Sequence, residues 1–222
     1  MTSPEGTNYR PLLIAVFARP REAIERILVS KSRHLVLPLA TAGGSTLFVG
    51  RFLNTGLVFN LVNWRALLFV AIAGAVVGIA SLYLTPLVFC WVGRFIDGCA
   101  SSSELRSAWA WSTLPSIFGF LVVLMILLIS RSFDPGSLIA PVGLLLPIKI
   151  ITGVSRAWAW VVFLVMISQV HRFTIWWAII TCVAGMASII VIAILVRTAL
   201  GYLLNIPPDL FDIREYVLLW LP

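Results

Sequence analysis

Residues 66–93 read ALLFVAIAGAVVGIASLYLTPLVFCWVG, with Arg65 immediately before them and Arg94 immediately after. The run holds no acidic or basic side chain. A helix rises about 1.5 Å per residue and a bilayer core is about 30 Å thick, so roughly 20 such residues suffice to cross. The stretch therefore predicts a membrane-spanning helix with an arginine at each end, where the side chain reaches the headgroups.

The whole chain agrees with that reading. Of its 222 residues, 60% are apolar and 11% charged, and mean hydropathy is +1.03. Soluble domains run near 45–50% apolar and about 25% charged. This excludes an ordinary soluble globule, a disordered chain and a nucleic-acid module. The net charge of +7 does not restore the last of these, because most Lys and Arg sit at the ends of apolar runs. That is how a membrane protein orients itself against anionic lipid. The cysteines, Cys90, Cys99 and Cys182, are odd in number and lack a disulfide or zinc spacing. The early apolar run Pro11–Ala18 is short and leads into charge rather than a cleavage site, so no removable signal peptide is expected.

Further uncharged runs predict further spans. One lies over residues 35–57, with Arg51 near its far end; others are residues 107–130 and 173–196. Two readings meet at residues 137–170. Residues 150–170 can cross if Arg156 sits near the outer end. Residues 138–148, held between Pro141 and Pro147, can instead dip into the membrane and return. Taking both gives a re-entrant or surface segment followed by a fourth span, and five spans in all. The expected fold is thus an all-α polytopic bundle with an interfacial N-terminal helix. Three parts are expected: 1–34, a cytoplasmic segment; 35–200, the membrane domain; and 201–222, an outer tail. Within that tail, residues 207–222 suit a short surface helix.

With five spans, the N-terminal segment, the second connection and the fourth connection share a side. That side carries Arg10, Arg19, Arg21, Arg26, Lys31 and Arg33, then Arg94, Arg106 and Arg172. The dense N-terminal cluster abuts the first span and so places the N-terminus in the cytoplasm and the C-terminus outside.

Local signals add detail. Residues 20–30 read as a short amphipathic helix opened by Pro20, with Glu22 and Arg26 paired at i,i+4. A plain topogenic anchor, basic side to the headgroups, and a partner-docking helix are both compatible with it. Ser101 and Glu104 have capping-box spacing. Pro115 predicts a kink near Trp111, with Ser112 and Thr113 placed to satisfy freed carbonyls. Gly74 and Gly78 make a GxxxG pair; Gly43, Gly44 and Ser45, and Thr181, Gly185 and Ser188, mark two further small-residue faces. Such faces serve packing within a chain or between two copies.

Three stretches together resemble the Yip family of membrane proteins, named for interaction with Ypt/Rab GTPases. Arg19-Pro20-Arg21-Glu22-Ala23-Ile24-Glu25-Arg26-Ile27 is similar to the basic, Pro-containing lead-in of bacterial members. Glu104-Leu105-Arg106-Ser107-Ala108-Trp109-Ala110-Trp111-Ser112-Thr113-Leu114-Pro115 is similar to the family stretch in which an aromatic-Ser pair is followed, two residues on, by Pro at the mouth of the third span. The third is the close spacing of the last two spans around Gln169-Val170-His171-Arg172. The resemblance covers residues 15–200 and implies five spans with a cytoplasmic N-terminus. Eukaryotic members carry an acidic Asp-Leu-Tyr-Gly-Pro motif tied to GTPase binding. This sequence has none, so the resemblance points to the prokaryotic branch and GTPase binding is not carried over.

No hydrolase, metalloprotease, phosphate-loop or zinc motif is present in the sequence. Asp97, Glu104 and His171 fall on one predicted side, where solvated loop residues are the ordinary reading and a cation site the sharper one. Cys99 reads as a loop thiol. No Asp, Glu or Lys falls at mid-span, as an ion-coupled transporter would require. Arg51, Arg156 and Arg197 are expected to snorkel at outer ends; converging, they would make an anion-attracting vestibule. Gln169, Asn54 and Thr41 offer weak polar lining. The expectation is a membrane adaptor, scaffold or accessory subunit, with lipids and a protein partner or second copy as partners. No catalytic residue, cofactor, metal or nucleic acid is expected. The alternative is a small transporter or channel subunit.

Overall fold

The computed structural model of the chain describes residues 10–29, 32–54, 64–133 and 142–204. Among them are helices α1 (Arg10–Ala18), α2 (Pro20–Val29), α3 (Val36–Asn54), α4 (Trp64–Arg94), α5 (Ser102–Ser112), α6 (Leu114–Phe133), α7 (Val142–His171) and α8 (Ile175–Leu204). A 3-10 turn at Ser32–Leu35 leads into α3.

Among the described residues, four stretches are long and apolar enough to cross a membrane: Leu68–Arg94, Ser102–Ile129, Leu146–His171 and Ile175–Val196. Val36–Gly50 is a shorter apolar helix. Large apolar side chains cover the outside; Phe69 and Trp176 are each 74% exposed. Water would penalise that surface and lipid does not. The protein is an all-helical integral membrane protein.

The break between α5 and α6 follows from Pro115, which cannot donate to the Trp111 carbonyl. Thr113 interrupts the helix; its N–H turns to the Ala110 and Trp111 carbonyls. The Ser112 hydroxyl donates to Trp109 O at 2.8 Å and that of Thr113 to Ala110 O at 2.7 Å. The two hydroxyls therefore serve carbonyls one and two residues before the one proline frees; the Thr113 N–H, not a hydroxyl, turns to Trp111 O.

Helices α3 and α4 run antiparallel in backbone contact. Gly44 lies on Gly74 and Gly78, Ala40 lies at Gly78, and Phe48 lies at Gly74. A Cβ on Gly44 would stand 2.7 Å from Gly78 N. The Ser45 hydroxyl donates to Ala71 O at 2.8 Å. The GxxxG pair is thus used within the chain, the first of the two readings its spacing allowed. Gly185, on α8, faces the Phe89 ring of α4.

Two further expectations change. Residues 142–148 are not a re-entrant segment: they are the opening turns of α7, which continues through Pro147 to His171. An internal proline removes one hydrogen bond, and neighbouring groups repair it inside a bundle. Residues 138–141 of that expectation, and the tail at 207–222, lie outside the described residues. The run at Pro11–Ala18 belongs to α1, an added helix whose Leu12 and Val16 enter the main core.

That core sits at one end of the bundle. Ile24 and Ile27 from α2 join Phe89 of α4, Leu105 and Trp111 of α5, and Met166 and Ile167 of α7. Phe163 is its aromatic centre, with edge-on rings of Trp109 at 5.0 Å, Phe89 at 5.3 Å and Trp160 at 5.8 Å.

Candidate functional site

The end of the bundle over this core gathers most of the polar chemistry. The connection after α4 turns back at Asp97, whose φ of 58° is left-handed, and Gly98 N donates to Gly93 O at 2.9 Å. Helix α5 then starts with the predicted capping box. Glu104 N donates to Ser101 Oγ at 3.3 Å, and Ser101 N donates to Glu104 Oε2 at 2.8 Å. Arg106 of α5 lies over the Tyr83 ring of α4, 5.0 Å from its centre. The connection after α7 also turns through a left-handed residue, Arg172 (φ 59°), with Phe173 N donating to Ser168 O at 2.8 Å.

His171 joins the two connections. Its imidazole is buried and stacks on Phe173 with ring centres 5.0 Å apart. Gly93 and Gly98 press against it from the other connection; a Cβ on Gly93 would stand 2.8 Å from His171 Nε2. Neither ring nitrogen has a hydrogen-bond partner among the described residues. Cys99 Sγ donates to the His171 carbonyl at 3.5 Å. The ring serves as a flat packing plate between the two connections. Asp97 and Cys99 are exposed, and Glu104 serves its cap. Among the described residues, no three His, Cys, Asp or Glu side chains converge as a metal would need.

Helix α2 closes this end. Its Pro start and Glu22–Arg26 pairing (3.6 Å) are as expected. Its setting is not that of a lipid anchor. Ala23, Ile24 and Ile27 are at most 1% exposed, covered by the protein itself. Gln169 of α7 donates to Glu25 at 2.6 Å, fixing the helix to the end of α7. Arg21, Glu22 and Arg26 lie exposed, and Glu25 is exposed at the edge that meets α7. Sequence reasoning missed the Glu25–Gln169 tie, since nothing local marks a pair 144 residues apart.

A second polar place lies inside the bundle. Thr46 and Gly50 of α3, Ser116 and Phe120 of α6, and Thr152 and Arg156 of α7 line a cavity of about 20 Å³. Sequence analysis expected Arg156 at an outer end. With α7 continuous, it stands ten residues inside Leu146 and fifteen from His171, facing α3 and α6. The side chains of Arg51, Asn54 and Arg197 lie outside the described residues. Thr41 donates to Pro38 O at 2.8 Å on its own helix.

Residues 14–197 match the model of the Yip1 domain. The chain belongs to the Yip1 domain family. All three stretches behind the resemblance fall inside the match. No curated protein and no solved structure shows a significant match to this Yip1 domain. In structural terms its match runs from within α1 to Arg197 in α8, so α2 and the second half of α1 belong to the domain rather than preceding it.

Proposed function

We propose that this Yip1 domain is a membrane adaptor or scaffold, an accessory subunit that holds a partner and performs no catalysis. One observation carries the proposal. Helix α2 spends its apolar face on its own protein, so its charged face is held rigidly outward at the best-packed end of the bundle. A helix serving only as an anchor would give that apolar face to lipid. The charged face, with Arg21 and Arg26, is the docking surface.

The proposal includes five spans, α3 counting as the first because it runs beside α4 in backbone contact. It includes a cytoplasmic N-terminus, since α2 and the two Arg-bearing connections share one end, and an outward C-terminus. Absence of the Asp-Leu-Tyr-Gly-Pro motif supports the prokaryotic branch and a bacterial inner membrane. Lipids are the solvent, a protein or second copy the partner, and nucleic acid is not a ligand.

The test is gentle native extraction of the wild-type chain beside a variant carrying Arg21→Glu and Arg26→Glu. A stoichiometric partner that the variant loses supports docking on α2. A chain that purifies alone and moves a solute in liposomes overturns the proposal.

A further inference from the structure

Arg106 sits on the flank where α5 packs against α4, its guanidinium 5.0 Å from the centre of the Tyr83 ring. Tyr83 is 52% exposed, so the pair opens to the outside of the bundle rather than into its core. Helix geometry gives the depth. Tyr83 lies fifteen residues after Leu68, about 22 Å along α4. A hydrocarbon core of about 30 Å measured from Leu68 ends near Val88, so the tyrosine stands about 8 Å inside it. Helix α5 marks the same boundary: Cys90 Sγ donates to Ala100 O at 3.4 Å, just before its polar first turn. Arg106 turns back toward that boundary. Its Nη2 donates to Ser102 Oγ, one turn nearer the end of the bundle, at 3.2 Å. This is the direction in which a charged side chain escapes hydrocarbon.

The donors left over define the ligand. The guanidinium carries five N–H groups, and Ser102 takes one. Ser102 accepts that bond, so its own proton is unspent. Among the described residues, the Tyr83 hydroxyl has no acceptor and Arg106 pairs with no carboxylate. Glu104 is tied to its cap at Ser101. A guanidinium fork takes two oxygens of a phosphate group together. Donors at the headgroup boundary beside an unbalanced positive charge select a phosphodiester of net negative charge; a zwitterionic headgroup brings its own cation. Val76, Ile72 and Phe69 lie seven, eleven and fourteen residues before Tyr83, on the same face of α4, and all three are exposed. They give the acyl chains a track.

We infer that Arg106, Ser102 and Tyr83 form a headgroup site for one anionic phospholipid on the outside of the bundle, between α4 and α5. The site depends neither on a docked protein nor on which leaflet this end occupies.

The test is native mass spectrometry of the full chain, delipidated in a non-ionic detergent and titrated with phosphatidylglycerol. Wild type takes up one lipid, saturably. Phosphatidylcholine and diacylglycerol with the same chains bind more weakly, and soluble glycerol phosphate does not compete. Arg106→Gln weakens uptake about tenfold or more, the scale of a lost hydrogen bond to a charged group. Arg94→Gln, at the exposed end of α4, leaves uptake unchanged. Should Arg106→Gln fail to fold, Tyr83→Leu decides: it removes the ring and its hydroxyl from a surface position and weakens uptake about threefold or more, the scale of one neutral hydrogen bond. No saturable uptake by folded wild type overturns the inference. So does uptake unchanged in folded Arg106→Gln or Tyr83→Leu, or an equal loss in Arg94→Gln, which means general attraction to the basic end. Equal uptake of phosphatidylcholine or diacylglycerol overturns it as well, and so does competition by glycerol phosphate.

Discussion

His171 shows how a single residue can resist reading from sequence. Its sequence setting suggested a solvated loop residue first and a ligand second; in the fold it is a buried plate clasped by two glycines and Phe173. That role depends on groups more than seventy positions away, which no local pattern marks. It makes a specific prediction. Gly93→Ala or Gly98→Ala drives a methyl into the imidazole and lowers stability by about 1–3 kcal/mol, the usual cost of overpacking. In a His171→Ala background the same change costs much less. Thermal unfolding followed by tryptophan fluorescence checks this; equal losses in both backgrounds would show that the ring is not the obstacle. Arg156 is the converse case. Pro141 and Pro147 suggested a separate dipping segment before the span, so the arginine was expected near an end, yet the bundle carries Pro147 inside one continuous helix.

Elements with a local cause were legible. The capping box at Ser101 and Glu104, the break before Pro115 and the Glu22–Arg26 pair all depend on spacings of three or four residues. The long apolar helices α4 and α8 were legible from length alone. Helix α1 was not, because nine residues give too little periodicity, and its cause is the core that receives Leu12 and Val16. The small residues of α3 and α4 were legible as packing marks but not as partners of each other. Their contact predicts the outcome of Gly44→Ala. The new Cβ meets backbone at Gly74 and Gly78, which cannot rotate away, so the helices must separate. The expected loss is about 1–3 kcal/mol or more, seen as a lower melting temperature and poor yield of monodisperse protein. Gly153→Ala is the control, since nothing lies within 4 Å of its Cβ position; a similar loss there would remove the packing explanation.

At the scale of the whole molecule, the bundle has a dense end and an apolar waist. The dense end unites α2 with both Arg-bearing turns, as the charge pattern anticipated from sequence. That grouping predicts the topology: a reporter fused after Pro222 reads outside and one fused at the N-terminus reads cytoplasmic. A cytoplasmic reading at both ends would mean an even number of spans and undo the proposed orientation. What the pattern left open was whether α2 serves lipid or protein, and its buried apolar face now favours protein. The most direct measurement is therefore native mass spectrometry of the gently extracted chain, wild type beside Arg21→Glu/Arg26→Glu. The account predicts a fixed-stoichiometry complex for the wild type and the bare, folded chain for the variant. A bare wild-type chain that moves a solute after reconstitution would contradict it.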